Sequence, residues 1–387
     1  MAMDFSAAYK TLVTSPHQVT LCARETTLSG LLEKIRDCFG EPALTDEQTL
    51  EVLAHCNGAM LESVPNLFDA GWMPYRYHAK TKTLSWCIPQ GHPEESFHEQ
   101  YIDRCRQQCL FNQIVSPQTL LAGLSGDYAT HPPQPAGFIF HLSRCGSTLI
   151  SGCLSEMNST SVLSESPVLT GVLLDTFLSV SEKKKILLNL INHQGRLYAG
   201  RRQVIIKWNA WDIFLWPLIH SIYPQVPTVF LVRNPIEVLA SHQRMAGRHM
   251  SGDTSMSCLG GVFLGMRESE VPLDFRIRVL SELMSRMLVV AGEKNVIVMD
   301  YAELGEEKII EITRLFGLPL IAVERARLRQ RMGFNSKAAG QVFKADGEQK
   351  RRLFDVGDAE KIQARLSPLY RQLLARTTNI EPEFDNA

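Results

Sequence analysis

The sequence predicts an α/β protein, a parallel sheet flanked by helices, with a smaller N-terminal α+β domain ahead of it. Three observations carry this. Five short runs, Phe138–His141, Ser161–Leu163, Gln203–Trp208, Thr228–Val232 and Asn295–Met299, are rich in β-branched and aromatic residues. They alternate little, as strands covered on both faces do. Helical segments separate them, which implies right-handed βαβ units. Before them lies 127–137, where Pro132, Pro133 and Pro135 favour an extended linker. The expected domains are therefore 1–130, an accessory domain of unassigned role, and 136–387, the α/β domain.

Within the N-terminal third, Thr45 and Gln48 form a capping box for a helix running to about Leu61. Tyr75–Lys80 and Thr83–Cys87 read as a short hairpin, and His98–Phe111 as a helix. Trp72, Tyr75, Tyr77 and Trp86 either pack on that small sheet or line an acceptor pocket. Cys105 and Cys109 read as free thiols, because no Cys/His pair nearby has the ligand spacing of a zinc site.

Composition narrows the class of protein. At 387 residues the chain is long enough for one large domain and a smaller one. A formal net charge of -1 argues against a general nucleic-acid or anionic-membrane binder. No apolar run approaches membrane-spanning length, and the first residues lack the basic and apolar regions of a signal peptide. Nine scattered cysteines fit a reducing compartment. The expectation is a cytoplasmic protein with a small-molecule or peptide partner.

The chemistry starts at 138–151, Phe-Ile-Phe-His-Leu-Ser-Arg-Cys-Gly-Ser-Thr-Leu-Ile-Ser: a strand, a polar turn and a helix start. This is P-loop-like grammar. Gly146 lets the backbone approach an anion, and Ser147 and Thr148 add hydroxyls. Their amides open a helix with its positive end towards the ligand. Ser143 and Cys145 complete the turn, and Arg144 supplies a charge able to clamp phosphate oxygens. The nucleotide-triphosphate loop Gly-x-x-x-x-Gly-Lys-Ser/Thr is not met, because no lysine precedes Ser147. A second unusual cluster follows strand Thr228–Val232: Arg233, then Asn234 as N-cap, Pro235 at the first helical position, Glu237 completing the cap, and Ser241 on the same helix.

Ser-Arg-x-Gly-Ser-Thr-Leu resembles the 5′-phosphosulfate loop of sulfotransferases that use 3′-phosphoadenosine 5′-phosphosulfate (PAPS). Residues 230–241, Phe-Leu-Val-Arg-Asn-Pro-Ile-Glu-Val-Leu-Ala-Ser, resemble that family's 3′-phosphate segment. Residues 296–304 and 315–318 resemble two later elements, so the likeness covers roughly 136–376. It implies PAPS as co-substrate, with Ser143, Arg144, Cys145, Gly146, Ser147 and Thr148 at the 5′-phosphate and Arg233 and Ser241 at the 3′-phosphate. Lys337, in the late loop 335–340, falls where relatives fold a segment over the nucleotide. Lys207 and Arg144 would stabilise the transferring group. Glu165 would be the general base, as in the glutamate-base, protein-tyrosine and carbohydrate branch.

Departures from the family's pattern favour that branch. The cytosolic branch carries Lys-x-His, and here the place reads Lys207-Trp208-Asn209. That branch's Gly-x-x-Gly-x-x-Lys motif near the C-terminus is also missing, which leaves the adenine contacts unassigned. No acidic cluster accompanies the site, so no metal is expected. Two other readings share the turn: a P-loop small-molecule kinase, and a non-catalytic nucleotide-binding domain of sulfotransferase type. Residues 246–261 read as a lid or a surface loop, and His242, Arg244, Arg248 and His249 as a solvated basic face or as groups that meet an acidic acceptor.

Overall fold

Gly137–His141 (β5) lies at the centre of a five-stranded sheet whose strands all run parallel. The remaining strands are Thr160–Ser164 (β6), Gln203–Lys207 (β7), Thr228–Val232 (β8) and Val296–Asp300 (β9). Their order is β6-β7-β5-β8-β9, so from β5 the chain runs to the edge at β6, returns to place β7 between them, and then crosses to β8 and β9 on the other side. Such a reversal opens a crevice at the carboxyl ends of the strands. The computed structural model describes residues 5–61, 64–124, 134–196, 203–333, 349–350 and 352–376.

Alternation along β5 explains why its two faces are both apolar. Phe138 and Phe140 point into an aromatic layer with Trp208, Trp216 and Phe230, at centroid separations of 5.5–6.1 Å. Ile139 points to the opposite face, into a cluster with Ile150, Leu154, Val229, Ile297, Ile312 and Phe316. Gly137 has no side chain for a local reason: a Cβ there would lie 2.4 Å from the Phe316 ring.

The expected strands are all present, with shifts of one residue at some ends. Helices Ser147–Ser155 (α8), Trp216–Ile222 (α11), Pro235–Arg244 (α12) and Pro272–Val290 (α13) lie between them, and Glu306–Leu315, Ala322–Met332 and Val356–Leu374 follow β9. In the N-terminal third, the capping box of Thr45 and Gln48 forms, but its helix is Asp46–Asn57. It stops short of Leu61, and Met60–Leu61 (β1) pairs in parallel with Gln118–Leu120 (β4). Met73–His78 (β2) and Thr83–Cys87 (β3) form the hairpin, in a sheet ordered β1-β4-β3-β2. The helix expected over 98–111 breaks at Cys109, whose extended backbone separates His98–Gln108 from Leu110–Ile114.

The chain divides into two compact units: Met1–Pro133 with Ser166–Arg202, and Gln134–Glu165 with Gln203–Ala387. The first therefore gains Pro167–Leu174 (α9) and Val180–Arg196 (α10) from the middle of the sequence. In it, Tyr77 donates to Asp175 at 2.5 Å, and Lys82 pairs with the same carboxylate. Trp72 and Trp86 are buried, with indole N–H groups donating to the Val13 carbonyl (2.7 Å) and Thr119 Oγ1 (3.0 Å), so these rings are core. Cys105 and Cys109 are buried free thiols. Among the described residues no helix is long and apolar enough to cross a membrane. Residues 127–133 of the expected linker lie outside the described set.

Gly137→Ala tests the packing on β5. Forcing a methyl against Phe316 is expected to lower the unfolding free energy by about 1–3 kcal/mol. Urea unfolding followed by tryptophan fluorescence measures it, and an unchanged midpoint would mean that Phe316 moves freely.

Candidate active site

Strand register brings the first two site residues together. Ser164, the last residue of β6, lies opposite Lys207, the last of β7. Glu165 follows with φ 54°, and its N–H donates to the Lys207 carbonyl at 2.7 Å. That left-handed turn sends the carboxylate back over the end of the sheet, where it meets Lys207 Nζ at 2.7 Å. Ser143 (φ 66°) and Arg144 (φ 53°), after β5, are left-handed as well. Such residues each cost on the order of 1–3 kcal/mol and concentrate at functional sites. Here three of the five among the described residues fall at the ends of β5 and β6, the two strands that flank β7.

Lys207 is wholly enclosed, its side chain 0% exposed. Its ammonium lies 3.4 Å from Thr148 Oγ1 as well as against Glu165. His141 stands on the other side of the carboxylate. Its Nδ1 accepts from the Ser143 N–H at 3.0 Å, so the neutral ring carries its proton on Nε2, which lies 3.4 Å from Glu165 Oε1. Burial works to raise the Glu165 pKa. The Lys207 charge and the His141 hydrogen bond outweigh it and hold the carboxyl well below the usual range.

The turn after β5 has the form of an anion cradle. Gly146, with φ 87°, is the N-cap of α8, and Ser147 and Thr148 are buried at its start. A Cβ on Gly146 would come within 2.7 Å of Tyr301 Cδ2, so glycine is needed for space as well as conformation. Arg144 donates to the Met245 carbonyl at 2.9 Å, and burial lowers its pKa while the Glu165 charge opposes that. The Cys145 thiol points into the core, donating to the Leu231 carbonyl at 3.3 Å, with its pKa pushed up to about 11 by burial. Its backbone, not its sulfur, is what the turn offers an anion.

Arg233, at the end of β8, is buried. Glu237 Oε2 accepts from its Nε (2.9 Å) and Nη2 (2.6 Å), and the Arg144 carbonyl accepts from its Nη1 (3.2 Å). The guanidinium lies 4.0 Å from the Tyr301 ring centroid. Among the described residues these bonds use three of the five N–H donors and leave two. Ser241, half-buried, is one turn beyond Glu237 on the same face of α12. No hydrogen bond joins it to Arg233 among the described residues. Lys337 and the rest of 335–340 lie outside the described residues.

One expectation is overturned. His242 is 0% exposed and His249 4%, so they do not belong to a solvated face. The helix turns His242 inward, and the two rings pack edge to face at 5.5 Å. Residues 246–261 form short 3₁₀ turns with Met250 and Met256 buried beneath them. Asp212 was missed altogether. Its Oδ2 accepts from the Asn209 N–H (2.8 Å) and Nδ2 (3.0 Å), fixing Asn209 as the cap of a 3₁₀ turn. Burial pushes the Asp212 pKa up to about 7 against those hydrogen bonds, and the Glu165 charge raises it further. The Asn-x-x-Asp spacing was the available signal. Tyr301 lies within 296–304 with nothing in the sequence to single it out, and Glu237 reads from the sequence only as a cap.

No family model matches the chain, and no curated protein matches it. Solved structures similar to parts of it include the following three. One is a sulfotransferase from Alicyclobacillus acidocaldarius, at 14% identity and TM-score 0.37 over 63% of this chain and 95% of that one. Another is a mouse sulfotransferase complexed with PAP, at 12% identity and TM-score 0.36 over 66% and 91%. The third is a sulfotransferase domain from the curacin biosynthetic pathway, at 16% identity and TM-score 0.37 over 64% and 97%.

Lys207→Met tests the buried pair. It strands the Glu165 carboxylate, and the expected loss of stability at pH 7 is about 3–5 kcal/mol. A carboxyl lowered by the fold stabilises it above the unfolded pKa of 4.5 and loses that effect as pH falls towards the folded value. The penalty of the single variant should therefore shrink below pH 4.5, and adding Glu165→Gln should recover most of it at pH 7. Urea unfolding of the three variants across pH decides, and no recovery in the double variant would show that the pair is not the coupled unit.

Proposed function

We propose that the α/β unit is a PAPS-dependent sulfotransferase of the glutamate-base type, moving a sulfuryl group to an acceptor hydroxyl or amine. The observation that carries the reading is the Lys207–Glu165 pair at 2.7 Å, beside the left-handed turn that opens α8. A cation for a transferring anionic group, a carboxylate for the acceptor's proton and an anion cradle are the three parts such a reaction needs.

The residues present fit the nucleotide. The Cys145–Thr148 backbone, the Ser147 and Thr148 hydroxyls and Arg144 suit the 5′-phosphate. The two N–H groups that Arg233 retains, with Ser241 on the adjoining helix face, suit the 3′-phosphate. PAPS supplies an activated sulfuryl group whose leaving group is the nucleotide 5′-phosphate. Lys207 neutralises charge on that group's oxygens and, in turning to them, gives up its hold on Glu165. Loss of that partner raises the carboxyl's pKa, so Glu165 becomes a competent base when the donor is in place. His141 keeps the carboxylate oriented through Nε2.

Two measurements test this. Calorimetry should show 3′-phosphoadenosine 5′-phosphate (PAP) binding about ten- to hundredfold more tightly than ADP. Arg233→Gln combined with Glu237→Gln, which avoids an orphaned charge, should erase that preference, and its survival would sink the 3′-phosphate assignment. Glu165→Gln should leave PAP affinity within a few-fold while transfer from labelled PAPS falls about 10²–10⁴-fold. Equal losses in binding and transfer would mark Glu165 as structural.

A further inference from the structure

We propose that His249 is the acceptor-binding residue of this site and that the group it receives is a neutral hydroxyl, so the acceptors are alcohols or phenols rather than amines. The proposal rests on the sulfuryl-transfer reading above and narrows it. His249 sits in the 3₁₀ turn Arg248–Met250, just after α12, and is 4% exposed. Neither of its ring nitrogens meets a hydrogen-bond partner among the described residues, and the same is true of the buried indole nitrogen of Trp211. The Trp211 and His249 rings lie 5.6 Å apart. Buried polar atoms are almost always paired, so two such side chains with rings this close point to a place where a ligand's polar atom belongs.

The turn is built to hold the ring still. Gly247 donates its N–H to His242 Nδ1 at 3.1 Å. A Cβ on Gly247 would lie 3.1 Å from the His242 ring and 3.2 Å from that of His249. The imidazole is also within electrostatic reach of the reactive groups, since its protonation is biased by His141, Glu165 and Arg144. Burial, then the His141 charge, push its pKa down to about 3, with Arg144 acting the same way and Glu165 opposing.

These facts select the ligand's chemistry. A neutral imidazole carries its one N–H donor and its one acceptor nitrogen on diverging edges of the ring. Among the described residues the His249 N–H and the Trp211 N–H both lack an acceptor, and a hydroxyl oxygen supplies one while its own proton stays free for Glu165. An ammonium has donors only and no lone pair to accept either N–H. His249 and the Trp211 N–H hold the hydroxyl oxygen, and Glu165 takes its proton. His249 itself transfers nothing.

The test uses the full chain with ¹⁵N-labelled histidine, read by ring-nitrogen NMR with and without PAP. The probes are phenol and benzylammonium chloride at millimolar concentration. Phenol is expected to shift the His249 nitrogens saturably, and benzylammonium to leave them unmoved. His249→Phe should weaken phenol binding at least tenfold with PAP affinity within twofold, and His249→Gln, which keeps a donor and an acceptor, should retain part of it. Absence of a saturable phenol shift, an equal response to benzylammonium, or phenol binding unchanged in His249→Phe would each overturn the proposal. If His249→Phe fails to fold, the wild-type spectra and His249→Gln decide. Failure of PAP to bind while phenol still shifts His249 would instead defeat the sulfotransferase reading and leave the hydroxyl site standing.

Discussion

A lysine ammonium with no exposed side-chain surface needs a bound anion to offset the hydration it has lost, and in this molecule that anion is Glu165. Much of the local architecture serves that contact. The parallel register of β6 and β7 brings Ser164 level with Lys207, one residue short of the carboxylate. The missing distance is closed by the left-handed backbone of Glu165, pinned by its N–H to the Lys207 carbonyl. Glu165 is also the last residue before the chain leaves its unit for Ser166–Arg202, returning at Gln203 to make β7. The pair thus closes a long excursion of the chain.

The same logic governs the second cation. Arg233 is buried against Glu237, one turn into the helix that its own strand feeds, and it also holds the Arg144 carbonyl. Since Arg144 belongs to the turn after β5, a single guanidinium ties two strand ends together. Tyr301, just past β9, lies between that guanidinium and Gly146 and adds a third. Two cations at the carboxyl end of the sheet are therefore held in place, each by a neighbouring carboxylate.

What was legible in the sequence follows from the range of the interactions. The strands could be read because β-branched and aromatic runs such as Val-Ile-Ile and Val-Phe-Leu-Val carry their preference locally. The turn at 143–148 was legible because glycine, arginine and hydroxyl residues stand in one short string. The break at Cys109 was not, because it depends on the sheet and helices that surround it. Nor was the inward turn of His242 and His249, since a helix with Arg244 beside those residues looks solvated until its packing partner Trp211 is known. Asp212 escaped notice because its significance is burial, and one carboxylate in a tryptophan-rich stretch looks like any other. The assignment of 166–202 to a different compact unit from its sequence neighbours is likewise a matter of long-range contact.

The two buried carboxyls of the site end up with opposite tendencies for one physical reason. Both suffer desolvation, but Glu165 has Lys207 and His141 against it, whereas Asp212 has only the amide and backbone of Asn209. Desolvation loses in the first case and wins in the second, leaving one group ionised and the other poised near neutrality. They are also coupled, because the Glu165 charge is one of the causes that raise Asp212. A proton accepted by Glu165 cancels that charge and eases ionisation of Asp212, so neither carboxyl titrates independently. Asn209 belongs to this arrangement as a cap, bound through both its backbone and its amide to Asp212. That position is spent on holding a buried acid, and in the proposed reaction the base stands elsewhere, at the end of β6.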